Sequence, residues 1–162
     1  MLEELFYYGG DGGQWLRDTM RSMHVTEVAR PFREILARAE QCVFSVTELR
    51  RRLVELDRFK MAMLDFMRPY DVLLCPVAAG PAALYENVGV GEAGPGIGLD
   101  LTYNLPYSVT GWPAAVVRCG TSSEGLPIGV QVIARPWRDD VALAVARRLE
   151  EIFGGWQPPS GV

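Results

Sequence analysis

Basic chemistry is scarce in this chain. It holds one lysine, Lys60, against fifteen arginines, and a single histidine, His24. An imidazole with no second histidine and no Cys-x-x-Cys beside it does not make a metal site, so His24, between Met23 and Val25, reads as a structural or surface residue. Cysteine is sparse as well. Cys42, Cys75 and Cys119 are odd in number and far apart, which excludes a disulfide framework and a ligand spacing, and each is expected to fill apolar space. No cofactor is expected. No apolar run approaches the roughly 20 residues that cross a bilayer. The opening MLEELFYYGG also lacks the basic-then-apolar order of a signal peptide. The expectation is no transmembrane segment and a cytoplasmic location. A formal charge of -4 and a pI near 5.1 leave no surplus of positive charge for a phosphate backbone, so nucleic acid is not an expected partner.

What is present is apolar and periodic. With 49% apolar residues among 162, the chain can fill the core of one domain. GGDGG, Gly9 to Gly13, predicts a flexible turn, followed by a helix over Gln14 to Arg21 with Asp11 near its positive end. Pro31 predicts the opening of a second helix, whose inward face carries Phe32, Ile35, Leu36 and Ala39. The strongest helical pattern is SVTELRRRLVELDRFKMAMLDFM. Ser45 and Glu48 stand at capping-box spacing, and Leu49, Leu53, Leu56, Phe59, Met63 and Phe66 recur every three or four residues up to the stop at Pro69.

Three short apolar runs, at about 71–76, 114–119 and 128–133, predict strands covered on both faces, the last two joined as an antiparallel pair by the turn GTSSEGLP. A long Gly/Pro-rich loop, 78–105, separates the first strand from the others, and loops of that length usually serve binding. DDVALAVARRLEEIFG predicts a closing helix capped by Gly154, with Val141, Val145, Arg148, Leu149 and Ile152 inward. The fold class is α/β, a mixed β-sheet flanked by helices. It reads as incomplete for a stand-alone domain, because bare sheet edges call for a partner segment or for self-association.

The hydroxyls do not make a nucleophile by themselves. Ser122 and Ser123 lie in the predicted hairpin turn, where serine and glycine are ordinary turn formers, and no base is near them in sequence. Ser108 and Thr110 also lack a partner base. Lys60 lies mid-helix among acids and arginines and is expected to be solvated, whereas a lysine that takes up a proton in catalysis must be buried.

The order of motifs resembles the C-terminal part of the amidase signature family, serine hydrolases that cleave carboxamides. DGG at Asp11 to Gly13 looks like the family's glycine turn, and the helix Glu48 to Met67 leading into PYDVLLCPVAAGPA is similar to its helix, aspartate, apolar strand and proline. PYSVTGWPAAVVRCG resembles the family's N-x-x-G-x-P-A segment and strand. EGLPIGVQVIARPWRDDVALAVARRLE is similar to its GLP-x-G-x-Q strand and closing helix. The stretch from Gly111 to Gln131 is the most specific, and RPWRDD also resembles the fatty acid amide hydrolase branch. Matches in this order over about 150 residues make residues 1–162 the C-terminal segment of an amidase domain by resemblance.

The resemblance implies a mechanism and a place in it. The family uses a nucleophilic serine, a second serine on a cis peptide bond and a neutral lysine to form an acyl-enzyme on an amide carbon. Backbone N–H groups of a glycine-serine-rich segment hold the oxyanion. No matching lysine, signature segment or third serine stands here in the right order, so the catalytic residues are expected in a missing N-terminal segment and none in this chain. The implied substrate is a small-molecule amide bound by the full-length protein. Asn104, Tyr107, Ser108 and Trp137 are the implied substrate-binding residues, with the loop Gly89 to Gly98 over the channel, and Trp112 and Trp137 imply a bulky or apolar ligand. Core packing is the alternative for the aromatics, and turn capping for Asn104 and Ser108. Ser108 stands where the family commonly has asparagine. The competing reading is a noncatalytic domain, derived from an amidase, that binds a ligand or a partner protein.

Overall fold

A computed structural model describes residues 8–82 and 103–158. The described chain falls into two compact units, residues 8–61 and residues 62–82 with 103–158. The centre of the long loop, including Gly89 to Gly98, lies outside the described residues.

The first unit begins at the glycine turn. Gly10 has φ 79°, and a Cβ there would run into the Phe44 ring, so only glycine serves. The turn is tied to residues 42–44 by Gly12 N–H to the Cys42 carbonyl (3.0 Å) and Phe44 N–H to the Gly10 carbonyl (2.7 Å). Asp11 caps the first helix. Its carboxylate accepts from the Gly13 and Trp15 amides, both at 2.8 Å, and opens α1 (Gln14–Ser22) as the sequence predicts. Helix α2 (Arg30–Gln41) has its proline in the first turn and buries Ala39.

Helix α3 (Val46–Phe66) begins where expected, with Ser45 Oγ accepting from the Glu48 amide at 3.1 Å. The other half of the predicted capping box does not form. The Glu48 carboxylate instead accepts from Arg51 (2.7 Å) and Arg52 (2.8 Å), since two guanidiniums outcompete one backbone amide. These contacts, Arg51 first, hold Glu48 down at about 2. Leu49, Leu56, Phe59 and Met63 of the expected stripe are half-buried, but the rest of the inward face differs. Leu53 and Phe66 are exposed, whereas Arg52, Glu55 and Lys60 are half-buried. Long charged side chains can take such places because their stems are apolar, and Arg52 lays its guanidinium 4.1 Å from the centre of the Phe44 ring.

The second unit holds β1 (Val72–Pro76), a short helix α4 (Leu105–Thr110), β2 (Ala114–Thr121), β3 (Pro127–Ala134) and α5 (Asp139–Phe153). The strands stand in the order β1-β3-β2, and both ladders are antiparallel. The sheet expected to be mixed is therefore antiparallel throughout its described strands. Ser122 closes the β2–β3 hairpin, its Oγ accepting from the Glu124 (3.3 Å) and Leu126 (3.2 Å) amides, which is the turn role expected of it.

Only the central strand matches the expectation of burial on both faces. Gln131 to Ala134 of β3 are buried, but Leu74 of β1 is 48% exposed and Val116 of β2 is 58% exposed, because these strands form the two edges. Met67, Trp112 and Ile133 make the core, with Leu73, Cys75 and Tyr107 packed against it. Helix α5 packs across β2 and β3. It turns Ala142 and Ala146 inward with the half-buried Val141, Val145 and Leu149 of the predicted face, and leaves Arg148 and Ile152 exposed, which corrects that face at two positions. The two alanines let the helix approach the sheet more closely than larger side chains would. Gly154, at φ 79°, ends α5 as predicted.

Candidate functional site

The cleft of interest is built by α4 and by the segment joining β3 to α5. Helix α4 is not read from the sequence, although Pro106 within its first turn and Gly111 at φ 72° after its last are the usual punctuation of a helix. Asn104 occupies its N-cap position. The Asn104 carbonyl accepts from the Tyr107 (3.2 Å) and Ser108 (3.1 Å) amides, but its side chain makes no capping bond. Thr110 donates its hydroxyl to the Pro106 carbonyl at 2.6 Å, a local role within the helix.

A buried polar residue positions this helix. Gln131, 3% exposed at the middle of the sheet, donates from Nε2 to the carbonyls of Pro76 and Tyr103, each at 2.7 Å. One amide group therefore ties the end of β1 to the residue just before Asn104 and α4. The sequence shows Gln131 in a strand but carries no sign of this bond, which spans 55 residues on one side.

Tyr107, Ser108, Thr110, Trp112, Trp137 and Asp139 line an open cleft of about 520 Å³, with Gly111, Pro113 and Pro136. Three of the four expected substrate-binding residues, Tyr107, Ser108 and Trp137, thus come together, and Asn104 stands outside the lining at the helix start. Pro136 and Asp139 were not among the expected residues. Tyr107 both packs on the core and faces the cleft. Burial, and then the Cys75 thiol 3.8 Å from its oxygen, push the Tyr107 phenol up to about 12, so its hydroxyl stays protonated.

Trp137 is not a core residue. It is 93% exposed, and its φ of 66° places a bulky side chain in the left-handed region, where strain of about 1–3 kcal/mol must be held by its surroundings. The turn bond from Arg138 N–H to the Arg135 carbonyl (3.0 Å) holds it there. Among the described residues no lysine, arginine or histidine lines the cleft, so Ser108 has no basic partner in it. Among the described residues no cluster of three His, Cys, Asp or Glu side chains is arranged to hold a metal ion, and no helix is long and apolar enough to cross a membrane.

A family model described as Amidase matches residues 9–143. Human fatty-acid amide hydrolase 2 is 42% identical over 60 residues, 37% of this chain and 11% of that protein. The fatty acid amide hydrolase of Arabidopsis thaliana is 33% identical over 107 residues, 64% of this chain and 17% of its own length. Among solved structures, an amidase superposes with a TM-score of 0.72 at 21% identity, covering 94% of this chain and 36% of that one. A 6-aminohexanoate cyclic dimer hydrolase does so with a TM-score of 0.65 at 24% identity, over 92% of this chain and 34% of its own. The chain thus spans 11% and 17% of these two curated relatives and about a third of these solved chains. With the family model covering most of its length, the chain belongs to the amidase signature family.

Proposed function

We propose that this chain is the C-terminal portion of a hydrolase of carboxamide C–N bonds, and that its cleft forms a wall of the pocket for the acyl or amine part of the substrate. The observation that carries this reading is the meeting of Tyr107, Ser108 and Trp137 around one aromatic cleft of about 520 Å³. Such a volume suits a small organic ligand, since ligand pockets run from roughly 300 to 1,000 Å³.

Binding without turnover is the expected behaviour of the chain alone. Amide cleavage needs a nucleophile, a base to take its proton and donors for the oxyanion. In this reading the nucleophilic serine, the bridging serine and the neutral lysine come from another segment of the full-length protein. Serines outside the cleft are engaged locally in support of this: Ser22 donates to the Thr19 carbonyl (2.8 Å), Ser45 caps α3 and Ser122 closes the hairpin.

The test is to incubate the chain with benzamide and with oleamide while following ammonia release and tryptophan emission. Expected is a change in emission on binding with no ammonia produced. Ammonia release that persists through repurification, and in Ser122→Ala and Ser123→Ala variants, would overturn the division of labour. Emission unchanged by either amide would overturn the pocket.

A further inference from the structure

We propose that the cleft selects amides bearing a positive charge, with the Asp139 carboxylate and the surrounding ring faces receiving an ammonium group. This rests on the reading of the cleft as a substrate pocket. Of its described lining residues, Asp139 is the only one with a formal charge. No ion pair holds Asp139 among the described residues, whereas the neighbouring arginines are engaged: Arg138 with Asp140 at 3.2 Å and Arg135 with Asp71 at 3.9 Å. With Asp140 paired to Arg138, the single charge of Asp139 in the first turn of α5 still exceeds the roughly half positive charge of a helix N-terminus.

The rest of the lining favours the same sign. Tyr107, Trp112 and Trp137 supply aromatic rings, whose faces are negative and attract cations. Tyr107 keeps its proton and adds no charge of its own. An anionic substrate would meet Asp139 with no lysine, arginine or histidine in the described lining to offset it. A neutral one would find apolar walls and the Ser108 hydroxyl, so the cleft ranks cation above neutral above anion.

Three probes of similar size test the ranking: phenethylammonium, 2-phenylethanol and phenylacetate, titrated into the chain and followed by calorimetry. The cation is expected to bind about three- to tenfold tighter than the alcohol, and the anion most weakly. Asp139→Asn is expected to lower affinity for the cation about threefold and to leave the alcohol unchanged. Glu150→Gln, which removes the same formal charge nearer the other end of α5, should leave the ratio as it is. Equal binding of the three probes, or an Asp139→Asn variant that keeps the full preference, overturns the charge selection and leaves the pocket reading standing. Binding of none of the three overturns both.

Discussion

The two units bury their residues by different means. In the first unit helix α1 and residues 46–61 of α3 have no fully buried residue, and α2 buries Ala39. There, close backbone approach, the Asp11 cap and ion pairs such as Arg17 with Glu40 (2.9 Å) hold the elements together. The second unit instead packs Met67, Trp112 and Ile133 into one apolar cluster and adds a single buried amide, Gln131. Exposed ion pairs contribute roughly 0–1 kcal/mol each. Full burial of a large apolar side chain contributes about 1.5–3 kcal/mol. Apolar burial therefore contributes more in the unit that carries the cleft, whereas the turn of the first unit needs glycine at Gly10.

The largest expected effect lies in the apolar cluster. Ile133→Ala should cost about 2–5 kcal/mol, read by urea unfolding, since the side chain is fully buried between strands and has no room to relax. A loss well under 1 kcal/mol would mean that the second unit is not held by this packing.

The next effect belongs to the first unit. Gly10→Ala forces a left-handed alanine, at about 1–2 kcal/mol, and displaces the Phe44 ring at about 1–3 kcal/mol more. Gly9→Ala isolates the first cost, because φ there is 65° while the nearest atom to an added Cβ is 4.0 Å away. Equal thermal shifts for the two variants would remove the Phe44 contact from the account.

Gln131→Met should cost about 1–3 kcal/mol by leaving two carbonyls unpaired. Amide exchange sharpens this one: Ser108 and Gly111, in and just after α4, should exchange faster, while the β2–β3 ladder changes little. Uniform acceleration would make Gln131 a packing residue only.

The smallest effect is a pH dependence in α3. Glu48 in the folded chain titrates at about 2, below its ordinary 4.5, because Arg51 and then Arg52 bond its charged form. Its contribution is present above about 4.5 and is lost as pH falls towards 2. Helicity followed by circular dichroism should decline over that window, and Glu48→Gln should flatten the decline.

Local punctuation is readable for every described element but α4, whose Pro106 and Gly111 went unread. Ser45 before α3, Gly154 after α5, the TSSEG turn and the extents of the three strands follow from spacing and from residues with restricted backbones. Orientation was harder to read. The apolar positions of α3 and α5 span more than one face, so periodicity alone offers Leu53 or Ile152 as readily as Leu56 or Ala146. Of the cleft, Tyr107, Ser108 and Trp137 were reached by resemblance, whereas Asp139 was not: an acid in a first helical turn reads only as a helix-dipole partner.

By itself the sequence determined where most elements start and stop and which family motifs the chain carries, because caps, turns and apolar periods act within a few residues of each other. The tertiary structure decided that β3 lies between β1 and β2, that Gln131 reaches both Pro76 and Tyr103, and that Trp137 stands exposed beside Asp139. Those outcomes depend on hydrogen bonds and packing between distant segments, and their register is set only when the strands pair.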